Sequence, residues 1–111
     1  MEQNVQKLME WLTSEVNETI VITKEELNDL DTVHFSLESV DYRDSEDTID
    51  DYLGDALILR GSGSTLNADG DLVPLPQQSY EIAVSGLKLQ TIDADKVELQ
   101  TDRAKYTLTL S

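Results

Sequence analysis

The chain of 111 residues contains no cysteine, and this absence removes several kinds of chemistry at once. Without thiols there are no disulfides, no thiolate nucleophile and no cysteine-ligated zinc or iron–sulfur site. Aromatic residues are also scarce, with one tryptophan, one phenylalanine and four tyrosines. Burial must therefore come mainly from leucine, isoleucine and valine, and we expect stability to rest on packing alone.

Long apolar runs are missing as well. The N-terminal segment carries Glu2, Lys7, Glu10, Glu15 and Glu18, so it lacks the apolar stretch of a secretory signal. No later run approaches the ~18 apolar residues that a membrane span needs. We therefore expect a cytoplasmic protein that does not insert into a membrane.

Basic side chains are few: eight lysines and arginines stand against 23 acidic residues, giving a net charge of −15. Residues 1–55 hold 16 of the acids and only three of the bases. Affinity for nucleic acid comes largely from lysine and arginine, so direct nucleic-acid binding is excluded. Because a negative field attracts positive ligands, the acidity predicts a basic protein partner; the alternative is that it only maintains solubility.

The densest acidic segment lies between residues 41 and 55, where Arg43 is the one opposing charge. We predict that its seven carboxylates contact the partner: Asp41, Asp44, Glu46, Asp47, Asp50, Asp51 and Asp55. A like-charge block of this kind is often solvated or disordered. The spacing of Ile49, Tyr52 and Leu53 before Gly54 is also compatible with a short helix.

The N-terminal segment has the pattern of an amphipathic helix. Its apolar residues recur at helical spacing over residues 4–16, with Asn4 in position to act as N-cap: Val5, Leu8, Met9, Leu12 and Val16. Trp11 lies off the centre of this stripe. We expect Trp11 at the edge of the core, where its indole N–H reaches a polar partner.

Most of the chain after Glu18 has the pattern of strands. Thr23 and Glu26 form a capping-box motif, which predicts a helical turn through Leu30. The apolar alternation between residues 33 and 42 changes parity, which predicts a bulge near Glu38 and Ser39. A similar change between residues 80 and 89 predicts a second bulge at Gly86.

The remaining signals concern glycine, proline and the C-terminal strands. The sequence Gly-Ser-Gly-Ser at residues 61–64 indicates a strand with either a kink or a close approach of another backbone, and Asp69–Gly70 indicates a turn. Pro74 and Pro76 place residues 72–76 on an edge or in a loop. Residues 97–100 and 106–110 predict a hairpin. If its last strand were an edge, two copies could pair there, so a homodimer remains an alternative to the favoured monomer.

These elements predict a single α+β domain over residues 1–111. The amphipathic helix packs on a strongly bent, mainly antiparallel sheet of about six strands, which could resemble a barrel.

Candidate metal and catalytic motifs are weak. An EF-hand frame beginning at Asp44 has Ile49 where glycine is needed, and one beginning at Thr65 has Pro76 where a bidentate carboxylate is needed. His34, the single histidine, is predicted to be a half-exposed strand residue without a nucleophile motif. The glycine-rich segment lacks the lysine and helix start of a phosphate loop. We therefore expect a protein that is not an enzyme and needs no metal or cofactor.

Two functions remain. The first is a binding or regulatory protein that engages a basic protein through its acidic N-terminal half. The alternative is a small-ligand binding domain with an apolar pocket between the helix and the bent sheet.

Overall fold

The computed structural model describes residues 3–43, 55–66, 69–76 and 78–110. These residues form helix α1 (Gln3–Ser14) and eight strands: β1 (Thr19–Glu26), β2 (Asp29–Arg43), β3 (Ala56–Leu66), β4 (Leu72–Pro74), β5 (Ser79–Ala83), β6 (Lys88–Ile92), β7 (Lys96–Gln100) and β8 (Lys105–Leu110). No helix among these described residues is long and apolar enough to cross a bilayer.

The strands form one antiparallel sheet in the order β4–β3–β2–β1–β8–β7–β6, with β5 also paired to β3. The prediction of a mainly antiparallel sheet with one helix is confirmed. The strand number is larger than the six predicted, because residues 72–74 form β4 and the segment predicted as one bulged strand over residues 80–89 is divided into β5 and β6; β4 and β5 both pair with β3. The sheet is not closed into a barrel.

Helix α1 packs on the sheet through the stripe that its periodicity predicts. Val5, Leu8 and Leu12 are buried and join one core with alternate residues of the strands. Trp11 is 7% exposed and belongs to the buried core, and its Nε1–H donates a hydrogen bond of 2.8 Å to the carbonyl of Asp93, so the predicted polar partner of the indole is confirmed. Asn4 is not the N-cap, because the helix already includes Gln3 and the Asn4 amide donates to the carbonyl of Leu87.

The bulge predicted near Glu38 is confirmed. The register of β2 against β3 shifts between Leu37 and Ser39, so that one residue of β2 has no opposite partner. Val40 and Tyr42 are consequently half-buried against the same core as Leu37. The extra residue keeps Leu37, Val40 and Tyr42 on the same face of the sheet, although 37 is an odd position and 40 and 42 are even.

Two predictions from local motifs are wrong. Thr23 and Glu26 do not cap a helix: they continue β1, opposite Thr32 and Asp29 of β2, because the pairing of two long strands outweighs a short capping motif. Gly86 lies in a turn between β5 and β6 rather than in a bulge. Its φ of +71° favours glycine, and a Cβ there would collide with the carboxylate of Asp102.

The glycine-rich segment is a strand that another backbone approaches closely, which is one of the two alternatives predicted. Gly61 has φ +153°, and a Cβ there would collide with the carbonyl oxygen of Ser36 on β2. The predicted turn at Asp69–Gly70 follows β3, and Pro74 ends the short outer strand β4.

The predicted C-terminal hairpin is present as β7 and β8, but β8 is not an edge strand. It lies between β1 and β7 and is paired on both sides. The premise of a dimer through this strand is therefore wrong. The outer strands among the described residues are β6 at one side and β4 with β5 at the other.

Candidate functional site

The acidic block at residues 41–55 falls mostly outside the described residues. The structure describes two of the seven predicted contact residues, Asp41 and Asp55. The other five lie outside the described residues: Asp44, Glu46, Asp47, Asp50 and Asp51. Asp41 is exposed on β2 and accepts a hydrogen bond of 2.6 Å from Arg60 Nε. The backbone carbonyl of Asp55 accepts from Val84 N–H at 3.0 Å. The charge of Asp41 is thus matched by an arginine.

A second ion pair lies beside it on the same sheet. Arg43 of β2 donates two hydrogen bonds, of 2.7 and 3.0 Å, to the carboxylate of Glu81 on β5. The paired hydrogen bonds raise the pKa of Arg43 and lower the pKa of Glu81. Sequence reasoning missed this pair, because 38 positions separate the two residues.

The turn between β1 and β2 carries a different combination of charge and apolar surface. We define the hairpin tip as residues 25–31. Leu27 is 91% exposed and Leu30 is 66% exposed. Three carboxylates of the tip have no ion-pair partner among the described residues: Glu25, Asp29 and Asp31. The tip is therefore an exposed apolar pair beside three carboxylates that make no ion pair within the described residues.

The backbone of the hairpin tip is also unusual. Leu27 and Asn28 form a two-residue turn in which both φ angles are positive, +49° and +71°. Turns of this type favour asparagine and glycine, whereas a bulky residue such as leucine is strained in this conformation. Leu27 thus holds a strained position without gaining any burial.

A groove of about 470 Å³ separates the hairpin tip from the turn between β7 and β8. Its lining is mainly polar and includes Leu27 on one side and residues 100–105 on the other. The second side is rigidly built, because Thr101 Oγ1 accepts hydrogen bonds of 3.2 Å from the N–H groups of both Arg103 and Ala104. The side of the groove opposite the hairpin tip is therefore held in place by hydrogen bonds.

A separate recess of about 350 Å³ lies where β1, β2, β3 and β5 meet Leu75. Val33, Leu75 and the ring of Tyr80 provide its apolar surface. Tyr80 meets Phe35 edge to face, with 6.4 Å between ring centroids. Burial raises the pKa of Tyr80, so its phenol stays protonated at neutral pH. The rim carries both Lys24 and Asp31.

The predicted apolar pocket between helix and sheet differs from this recess in position. The buried stripe of α1 packs directly into the core, while the lining of the recess comes from strands and Leu75. Sequence reasoning had no signal for the recess, since its residues come from four strands and from Leu75 between β4 and β5.

The remaining candidates are placed as follows. His34 is half-buried on β2, opposite Val21 of β1 and Ser64 of β3, in agreement with a strand histidine. Its side chain makes no hydrogen bond with the described residues. Within the same part of the chain, no three acidic or histidine side chains converge as a metal would require. The Asp44 frame lies outside the described residues, and the Thr65 frame runs from β3 into β4.

A family model described as YmzB-like protein matches residues 1–111. The uncharacterized protein YmzB of Bacillus subtilis (strain 168) is 38% identical over 109 residues, which cover 92% of this chain and 91% of that protein. No solved structure matches the chain. A family match over the whole sequence, together with this relative, shows that the chain belongs to the YmzB-like family.

Proposed function

We propose that this chain is a non-enzymatic binding protein of the cytoplasm that engages a basic protein partner through its acidic N-terminal half. The observation that carries the proposal is the hairpin tip, where two exposed leucines lie among three carboxylates without ion-pair partners in the described structure. Asp41, by contrast, is neutralised by Arg60 and offers less to a cation. We therefore propose the hairpin tip as a contact surface of the acidic half; of the seven carboxylates of the acidic block, the structure describes only Asp41 and Asp55.

The two kinds of side chain at the tip have separate roles in such a contact. Leu27 and Leu30 bury their exposed apolar surface against the partner, and burial of apolar area stabilises a complex. Glu25, Asp29 and Asp31 attract lysine and arginine, which accelerates association and fixes the orientation of the partner. A basic segment with alternating apolar residues has the complementary chemistry.

The strain at Leu27 supports the same surface. A leucine with positive φ costs stability, and substitution by asparagine or glycine would relieve that cost. Its 91% exposure shows that packing within this chain does not compensate. A contact made outside the chain supplies a physical reason for leucine at this position.

The experiment begins with identification of the partner. The full chain is immobilised, proteins retained at low salt are identified, and the retained basic protein is purified. Its dissociation constant is then measured by titration calorimetry from low to physiological salt. We expect binding to weaken as salt rises, since exposed charges are screened over about 10 Å at 0.1 M.

Variants locate the surface. Leu27→Asn removes the apolar anchor while keeping a residue that accepts positive φ, and Asp29→Asn removes one carboxylate. Both should weaken binding about tenfold, as loss of a contact worth about 1.4 kcal/mol does. The matched controls are Ile92→Thr, another exposed apolar residue, and Glu38→Gln, another exposed acid of the same half. Equal binding by tip and control variants, or no dependence on salt, would show that the proposed surface is wrong.

A second candidate function is a small-ligand binding domain. The recess favours it, because its volume of about 350 Å³ lies in the range of ligand sites and its lining combines an apolar surface with polar and charged groups. The recess and the hairpin tip are both bordered by residues of β1 and β2, so the two functions are compatible with each other.

A further inference from the structure

The rim of the recess carries two opposite charges that do not bind each other. Lys24 of β1 and Asp31 of β2 are direct partners in the strand register, and both line the recess. Lys24 Nζ lies 3.3 Å from Glu26 and 6.0 Å from the centroid of the Tyr106 ring. Asp31 has no ion-pair partner among the described residues. One cation and one anion thus stand side by side at the opening.

The apolar part of the recess is formed by side chains that are already held in place. Leu75 is positioned by its backbone N–H, which donates 2.8 Å to the carbonyl of Gly63. Tyr80 is held by its edge contact with Phe35, and Val33 is buried. Thr65 donates its hydroxyl proton to the carbonyl of Thr32 at 3.2 Å. A ligand would therefore meet a preformed apolar surface, which reduces the cost of binding.

We propose that this recess binds a free α-amino acid with an apolar side chain. The α-carboxylate of the ligand pairs with the ammonium of Lys24, and its α-ammonium pairs with the carboxylate of Asp31. The side chain lies between Val33, Leu75 and the ring of Tyr80. Asp31 belongs to both the recess and the hairpin tip, so the two proposals share this one carboxylate, while the remaining lining of the recess lies outside the tip.

Other ligand classes fit the charges less well. A simple carboxylate would face Asp31 and Glu26, and a simple amine would face Lys24, so each meets a like charge that a zwitterion balances. Glu81 also lines the recess, but its carboxylate already accepts two hydrogen bonds from Arg43. The volume of about 350 Å³ lies near the lower end of ligand sites, which agrees with a small ligand.

The groups near the rim present few obstacles to this arrangement. The ion pair between Lys24 and Glu26 is partly exposed, and such pairs contribute little, so the ligand carboxylate can share the ammonium. Burial raises the pKa of Tyr80, so this residue brings no competing negative charge to the recess.

The test uses the full chain and calorimetric titration with L-phenylalanine and L-leucine at neutral pH. Three comparison compounds each remove one feature: N-acetyl-L-phenylalanine lacks the ammonium, phenethylamine lacks the carboxylate, and glycine lacks the apolar side chain. We expect L-phenylalanine or L-leucine to bind, with each comparison compound weaker by about tenfold or more, since each loses one contact.

Variants assign the contacts. Lys24→Met and Asp31→Asn should each weaken amino-acid binding about tenfold, as the loss of one charge-assisted hydrogen bond does. Lys105→Met and Asp29→Asn remove the same charges outside the recess and should leave binding unchanged. Thermal melting of each variant verifies that it is folded. Asp29→Asn alters the hairpin tip and not the recess. A failure of the proposed partner contact and a failure of amino-acid binding therefore give different patterns of binding among the variants.

Three results would overturn the proposal: neither amino acid binds the wild-type chain at millimolar concentration; phenethylamine binds as tightly as phenylalanine; or the rim variants bind as well as the two controls. The second result would assign the recess to organic cations, and the third would place the amino acid elsewhere on the molecule.

Discussion

The two hairpin turns that face each other across the groove are built in opposite ways. The turn between β7 and β8 buries Thr101 and Ala104, and its Asp102 N–H donates 2.9 Å to the carbonyl of Ser85. The turn between β1 and β2 instead places a leucine with positive φ in the solvent. The β7–β8 turn makes backbone hydrogen bonds and packs into the core, whereas the β1–β2 turn carries strain and exposed apolar surface. Where a sequence departs from what stabilises the fold, function is the first explanation to test.

Both hairpins share one core with helix α1. Leu12 is fully buried in that core, so Leu12→Ala should lower the free energy of unfolding by about 2–5 kcal/mol. Chemical denaturation measures the change, with Thr13→Ala on the exposed side of α1 as the control. A loss below about 0.5 kcal/mol would mean that the helix is detachable.

The well-satisfied turn should be the next most sensitive site. Thr101→Val keeps the shape of the side chain but removes the oxygen that accepts from Arg103 and Ala104. Leaving these N–H groups unpaired should cost about 1–3 kcal/mol in unfolding free energy. Thr107→Val, on the half-buried outer side of β8, is the matched control and should change little. Similar costs at both positions would remove the contrast between the turns.

The strained turn should respond in the opposite direction. Leu27→Asn places a residue that tolerates positive φ at this position, and it should raise the free energy of unfolding by up to about 1 kcal/mol. The control is Leu30→Asn, which removes exposed apolar surface without a change at a positive φ, and it should not stabilise. If Leu27→Asn is destabilising, Leu27 makes a contribution to the fold that the strain argument omits.

The smallest effect concerns the ion pair between Arg43 of β2 and Glu81 of β5. The chain just after β5 meets the β7–β8 turn. Arg43 lowers the pKa of Glu81, so the pair stabilises the fold above the unfolded pKa of Glu81, and that contribution disappears as pH falls through the folded value. Because Glu81 is largely exposed, Glu81→Gln should cost at most about 1 kcal/mol at pH 7. The difference from wild type should vanish in acid. An unchanged difference at low pH would show that the ionised carboxylate is not responsible.

Features that depend on local periodicity were predictable from the sequence. The helix stripe, the bulge at Glu38, the indole hydrogen bond of Trp11 and the C-terminal hairpin all follow from spacing along one segment. The capping motif at Thr23 failed because strand pairing, which involves a second segment, decides the conformation there.

The candidate sites were predictable only in part. The acidity of the first half pointed to a charged surface, but the exposure of Leu27 and Leu30 depends on a turn that the sequence pattern assigned to a helix. The recess brings Lys24 and Asp31 beside Leu75 and Tyr80, and such a meeting depends on strand order rather than on spacing. Long-range pairing of strands is the information that single-sequence reasoning lacks.

The central position of β8 has a consequence for the folding reaction. Ile20 pairs with Leu110, so the side of β1 that faces β8 stays open until the last strand docks. Closing such a long loop is entropically costly, and sheets built from distant segments fold slowly. During this interval the exposed edge of β1 can pair with the β1 edge of another unfinished chain. The strong negative charge of residues 1–55 opposes the approach of such a second chain.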